Sequence, residues 1–165
     1  MAIFLRYIAP MFEVLAFVYQ NYYVGDTCPE AAHLERKLSA VGFESEEIDD
    51  ALKWLKGLDL AARASPPDPW LLQSRPDSLR IYPDFEANHL GAPALGFIRF
   101  LESAGVLPAH MREVVIDRAM AAPGGPISLD DLKIMVLMVY RGFGHEPDAL
   151  VLDELCNDSQ ERTVH

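Results

Sequence analysis

The sequence predicts an all-α protein built as two small packed helical groups joined by a proline-rich linker. Three observations carry that prediction. Apolar residues recur at helical spacing along nearly the whole chain. Capping residues, glycines or prolines punctuate the ends of these stripes. Pro66, Pro67, Pro69 and Pro76, with Ser65, Ser74 and Ser78, exclude any long helix from residues 61–83. The expected organisation is an N-terminal extension at 1–10, a helical group at 11–60, the linker at 61–83, a second helical group at 84–156 and a tail at 157–165.

In the first group, Phe12, Leu15, Tyr19 and Tyr22 share a helix face, and Val14, Phe17 and Val18 fill much of the remainder. Only Glu13, Gln20 and Asn21 are polar, so this helix should be enclosed on most sides until Gly25 and Asp26 close it. Leu34, Leu38 and Val41 mark a second helix that stops at Gly42. Ser45 reads as the N-cap of a third, with Glu46 and Glu47 in the dipole-favoured first turn. Its stripe is Ile48, Ala51, Leu52 and Leu55, and it should end near Gly57. Trp54 lies off that stripe. The simplest account packs the linker's Trp70 against Trp54's side of the group, the alternative being exposed aromatic anchors for a partner.

Trp70, Leu71 and Leu72 should pin the linker onto a core, and Leu79, Ile81 and Tyr82 form the one plausible strand. Pro83 suits the start of the next helix, whose stripe of Ala94, Phe97, Ile98 and Leu101 ends at Gly105. Met111, Val114, Val115 and Ala119 mark another, ending before Pro123. Ser128 with Asp131 resembles a capping box. The helix it opens carries Leu129, Leu132, Val136, Val139 and Tyr140 on one face and Ile134, Leu137 and Met138 elsewhere, so it should form the centre of the second core. The competing view makes Leu137, Met138 and Tyr140 an exposed patch. A last short helix with Val151, Leu152 and Leu155 brings the count to about seven helices, a number that follows from the stripes themselves.

The chain of 165 residues suits one domain or two very small ones, and its formal charge of −11 opposes broad binding to phosphate backbones. Cys28 and Cys156 form no C-x-x-C pair, which points to a reducing, cytoplasmic location. The apolar run from Ile134 to Tyr140 falls far below the ~20 residues of a membrane span.

Several segments resemble the Smg family of small bacterial proteins. They begin at Met11-Phe12-Glu13-Val14-Leu15 and continue through Gly42-Phe43, Ile48, Ala51-Leu52, Trp54-Leu55 and Leu79-Arg80-Ile81-Tyr82. In the second half they are Gly96-Phe97, Phe100-Leu101-Glu102, the run from Arg112 to Arg118, the run from Leu129 to Lys133, and Leu137-Met138-Val139. Residues 1–10 fall outside the resemblance and read as an extension or an upstream start, dispensable to the fold. Gly91, Pro93 and Leu95 stand where the family often carries acidic or polar residues. The resemblance implies a helical fold, and genes of the family often neighbour those for DNA-processing protein A and topoisomerase I. It transfers no catalytic residue.

Residues 34–58 also resemble a helix-turn-helix and the short helical repeats of RecX-type regulators. A DNA-reading pose would present Glu44, Glu46, Glu47, Asp49 and Asp50 to phosphates, with Lys53 and Lys56 only at the far end. Coulomb repulsion opposes it. No segment interleaves clustered Lys/Arg with aromatics; Arg75, Arg80, Arg112 and Arg118 are scattered. Arg112-Glu113 with Asp117-Arg118 reads as intrahelical charge pairing, the alternative being a polar surface for a partner.

His33, His89, His110, His145 and His165 never fall at ligand spacing, so no metal site is expected. Gly124-Gly125 lacks the Lys and Ser/Thr of a phosphate loop and reads as a turn. Asp130 and Asp131 point about 100° apart on a helix, which disfavours a shared acid–base pair. No catalytic, cofactor-binding or metal residue is assigned, and neither is a partner-binding residue. The reading is a non-enzymatic protein–protein interaction module, an adaptor or regulator linked to DNA processing or topology. The alternative is a direct nucleic-acid binder using a RecX-like repeat.

Overall fold

The computed structural model describes residues 10–23, 30–64 and 79–148. Among them every regular element is helical, as the periodicity predicts. The chain divides into two compact units, Met1–Gly57 and Leu58–His165, with the dividing line inside a helix.

In the first unit, α1 (Pro10–Val18) leads into a π-helical stretch, Tyr19–Tyr23. Pro10 opens α1, a position where its missing N–H costs nothing. Met11, Phe12, Val14, Leu15 and Val18 are buried, while Glu13, Gln20 and Asn21 face solvent. The second helix, α2 (Ala31–Val41), buries Leu34 and Leu38 but leaves its terminal Val41 exposed. Gly42 then adopts φ 114°, and the N–H groups of Gly42 and Phe43 turn back to the Ser39 and Leu38 carbonyls. The Phe43 ring meets Phe17 edge-on at 5.6 Å.

The third helix, α3 (Ser45–Ala64), departs from expectation in three ways. Ser45 is its first residue, so Glu44 takes the cap position. The Glu44 carbonyl accepts from Ile48 N–H, and Glu47 Oε2 accepts from Glu44 N–H at 3.4 Å. Trp54 belongs to the core at 3% exposure, because the buried stripe runs Ile48, Ala51, Trp54, Leu58 rather than through Leu52 and Leu55. The helix also does not stop at Gly57. Leu58, Leu60, Ala61, Ala62, Arg63 and Ala64 are good helix formers, and Asp59 pairs with Arg63 one turn on at 3.1 Å. Together they outweigh the ~1 kcal/mol that an interior glycine costs.

In the second unit, residues 79–83 form an irregular arm leading into α4 (Asp84–Ser103). The segment expected as a strand has no strand pairing; Arg80 and Tyr82 engage the helices instead. Gly91 breaks α4 with φ 81° and ψ 161°, and Pro93 fits the first turn of the resumed helix. The break has a packing cause. A Cβ at Gly91 would lie 2.9 Å from the Pro126 side chain, and Ile127 N–H donates to the His89 carbonyl at 3.0 Å. The loop after α5 (Ala109–Ala121) therefore seats directly on the kink. Beyond it, Ala94, Ile98 and Leu101 are buried, and half-buried Phe97 stacks on Phe100 at 6.2 Å.

The last described helix, α6 (Leu129–Gly142), is enclosed on nearly all sides. Leu132, Met135, Val136, Leu137, Met138, Val139 and Tyr140 are all buried, which removes the exposed-patch view of Leu137, Met138 and Tyr140. Ser128 caps it by accepting from Asp131 N–H at 3.2 Å. No helix among the described residues is long and apolar enough to cross a membrane. The calls on residues 1–9, Gly25, Asp26, Cys28, Cys156, Trp70, Leu71, Leu72, the linker prolines and the Val151–Leu152–Leu155 helix lie outside the described residues.

Candidate functional site

Among the described residues of the second unit, the densest polar structure assembles from three segments. The arm supplies Arg80 and Tyr82, α4 supplies Glu86, Arg99 and Glu102, and α5 supplies Arg112 and Glu113. Arg80 donates to Glu86 at 2.7 Å and, through Nε, to Glu113 Oε1 at 2.7 Å. Arg112 donates to Glu113 at 2.9 Å and also to Glu102. The result is a continuous chain of carboxylates and guanidiniums: Glu86, Arg80, Glu113, Arg112, Glu102. Both arginines also face aromatic or buried surroundings. Arg80 lies 4.5 Å from the Tyr82 ring centre, and Arg112 is one of few buried charged residues.

The electrostatics follow from the pairing. Hydrogen bonding to Glu86 leads the effects that raise Arg80 above the ordinary guanidinium range. Burial pushes the Glu113 carboxyl up, but hydrogen bonds and charge from Arg80 and Arg112 outweigh it, so Glu113 sits below its ordinary range. Burial likewise opposes the charge on Arg112, and Glu102 with Glu113 reverses that. Burial raises the Tyr82 phenol. A base locked as a carboxylate between two guanidiniums is poorly suited to accept a proton near neutrality. The cluster suits holding and recognition rather than proton transfer.

Between the arm, the end of α4 and the start of α5 lies an open pocket of about 350 Å³. Tyr82, Arg99, Glu102, Leu107, Ala109 and Arg112 are among its walls. Around the cluster the arm and α4 leave four large apolar side chains in solvent: Leu79 at 78% exposure, Ile81 at 87%, Phe85 at 65% and Phe100 at 51%. Each is the chain neighbour of a cluster residue.

Other candidates from the sequence fall elsewhere. Arg112 and Glu113 pair with each other along α5 and also across elements, to Glu102 and Arg80, so the intrahelical reading holds but is incomplete; Arg118 bonds its neighbour Asp117 at 2.8 Å. Glu44, Glu46, Asp49 and Asp50 are exposed at the start of α3, with Glu47 half-buried. His89 donates to the Ala119 carbonyl at 2.9 Å, His110 meets Phe143 edge-on, and His33 and His145 are exposed. No three metal-ligating side chains cluster among the described residues. Gly125 packs against His89, where a Cβ would come within 3.0 Å of its Nδ1. Asp130 is half-buried and Asp131 buried; burial pushes the Asp131 carboxyl up to about 6, with Ser128 opposing and Asp130 adding to the rise.

Nothing in the local pattern marked Arg80 and Glu113 as partners, since they stand 33 residues apart. The available signal was the resemblance. Leu79-Arg80-Ile81-Tyr82, Phe100-Leu101-Glu102 and the run from Arg112, segments on which it rests, supply five of the seven residues that meet here.

Comparison with known proteins agrees. The family described as "Protein of unknown function (DUF494)" matches residues 11–165. A Protein Smg homolog from Methylibium petroleiphilum is 56% identical over 155 residues, covering 94% of this chain and all of the relative. Homologs from Leptothrix cholodnii and Bordetella avium are 55% and 48% identical, each over 94% of this chain and all of their own length. No solved structure matches. With the family pattern spanning nearly the whole chain, the protein belongs to the Smg family.

Proposed function

We propose that this chain is a non-enzymatic protein–protein interaction module, an adaptor or regulator acting in the cytoplasm on a protein of DNA metabolism. One observation carries the reading: Leu79, Ile81, Phe85 and Phe100 stand in solvent beside a hydrogen-bonded charged cluster. Apolar side chains flanked by fixed charges are the composition of a docking face, with the apolar area supplying affinity and the charges register. The link to DNA metabolism rests on the gene neighbourhood typical of the family. The exposed acids at the start of α3 count against duplex DNA as the direct ligand.

The test is affinity purification of the tagged chain from its own cells, with and without nuclease. A protein partner that survives nuclease supports the module. A partner lost on nuclease treatment, together with a mobility shift of duplex DNA at physiological salt, would favour the direct nucleic-acid binder.

A further inference from the structure

We propose that residues 79–82 of the arm form a strand with no partner in their own chain, and that this strand pairs edge to edge with an extended, basic segment of another protein. The inference deepens the docking reading above and rests on it. Its first basis is residue type, since Leu79, Ile81 and Tyr82 are aliphatic, β-branched and aromatic. Exposure then alternates with the period of a strand: Leu79 and Ile81 stand in solvent, while Arg80 and Tyr82 turn onto the helices. Pro83, at φ −61° and ψ 157°, favours an extended residue before it. Among the described residues no backbone hydrogen bond engages 79–82, and no other strand is present to pair with them.

The exposed residues select the edge. In a strand the N–H and C=O groups of alternate residues point to the same side. Leu79 and Ile81 therefore share one edge, and at 78% and 87% exposure that edge is open. A pairing of two short strands is marginal by itself. Leu79 and Ile81, with Phe85 and Phe100 on α4, supply the apolar area that must accompany it.

Charge chooses between a second copy and another protein. Two copies would each bring a net charge of −11. The two-fold register that sets Leu79 against Ile81 of the second copy also sets Arg80 against Arg80 of the second copy, a like pair that opposes the pairing. Around the arm the cluster holds three carboxylates against two guanidiniums, and Asp84 and Arg99 add one exposed charge of each sign. Locally and over the whole chain the excess is negative. It favours a strand whose outer residues are apolar and whose inner ones, on the cluster's side, are lysine or arginine.

The experiment titrates the ¹⁵N-labelled full chain with N-acetyl-Lys-Val-Lys-Val-Lys-Val amide and with its counterpart carrying glutamate for lysine. Two further versions of the basic peptide are N-methylated, one at the valines and one at the lysines. The basic peptide should saturate and move the amides of Leu79 and Ile81 downfield, the direction of a strand hydrogen bond. The acidic peptide should bind at least about tenfold more weakly. The two methylated versions should differ by about tenfold or more, because only one edge of the peptide meets the arm. Ile81→Pro removes an N–H that has no hydrogen-bond partner among the described residues, so its melting temperature should match that of Ile81→Val. It should nevertheless lose about tenfold in affinity, while Ile81→Val stays within about threefold of the unaltered chain.

No saturation by the basic peptide below about 10 mM, equal binding of the acidic peptide, or equal binding of the two methylated versions would each overturn the proposal. So would equal affinity of Ile81→Pro and Ile81→Val. A concentration-dependent dimer of the full chain that Ile81→Pro abolishes would overturn it in favour of a second copy. In the purification assay, loss of the captured partner from Ile81→Asp but not from folded Ile81→Pro would overturn the strand pairing and leave the docking face. Retention by both would overturn the docking reading and the pairing with it.

Discussion

Two regions of the second unit carry the same kinds of residue to opposite ends. Helix α6 buries Leu132, Val136, Leu137, Met138 and Val139, whereas the arm and α4 hold Leu79, Ile81, Phe85 and Phe100 in water. Hydrophobicity alone does not separate them. Enclosure does: beyond its first turn and Lys133, α6 is apolar on nearly every side, while the exposed four alternate with Arg80, Tyr82, Glu86 and Arg99, whose polar ends turn to the cluster. Anchoring those charges leaves their apolar neighbours facing outward. The core and the docking face are therefore distinguished by what their neighbours bind.

The largest effect should come from breaking the enclosed side. Met138→Asp places a charge with no partner at a position with no solvent exposure, and should cost more than about 4 kcal/mol, unfolding the second unit in a thermal melt. A folded Met138→Asp protein would remove the distinction between the regions. Leu132→Ala is the milder version, expected to cost about 2–5 kcal/mol in a denaturant titration.

Next comes the anchor of the exposed side. Arg80→Ala leaves Glu86 without its guanidinium and takes from Glu113 one of two, so the loss should be about 2–4 kcal/mol. The exposed pair Asp59–Arg63 is the control: Arg63→Ala should cost at most ~0.5 kcal/mol.

Two carboxylates, Asp131 buried and Glu113 half-buried, sharpen the contrast through pH. Glu113 sits low because two arginines face it; Asp131 is pushed up to about 6 from an ordinary 3.8, first by burial and then by Asp130, with its Oδ1 atom lacking a hydrogen-bond partner. For Asp131 the folded protein holds its proton more tightly than the unfolded chain. Stability from this group therefore falls as pH rises from about 4 to about 6, by on the order of 1–3 kcal/mol. Asp131→Asn should stabilise the protein by that order at pH 7, and the gain should vanish near pH 4. Glu113 has the opposite sign, with its stabilisation lost only as pH falls through its lowered value. Melting temperatures of Asp131→Asn and the unaltered chain across pH 4–7 check the first, and those of Glu113→Gln as pH falls below the ordinary carboxylate range check the second.

Much of this was legible from local pattern. The stripes at Leu34–Leu38, Ala94–Ile98–Leu101 and Met111–Val115–Ala119 appear as helices with those residues buried, and Ser128 caps α6. What escaped is set by contacts distant in sequence. Gly91 is a break because Pro126 packs against it, and Gly57 is not a stop because Asp59–Arg63 and the alanines carry the helix on. Trp54 was displaced from the core on paper by a one-residue choice of stripe. The candidate site was least legible, since Arg112 and Arg80 read like surface arginines until their partners, ten and 33 residues away, are known.

The most direct measurement of the central claim uses the smallest structural perturbation. Ile81→Asp alters a side chain that is 87% exposed, so the melting temperature should stay within the ±0.5 kcal/mol equivalent of a neutral surface change. In affinity purification after nuclease treatment, the variant should lose the protein partner that the unaltered chain retains. Retention of that partner by a folded Ile81→Asp protein would contradict the assignment of this face as the docking surface.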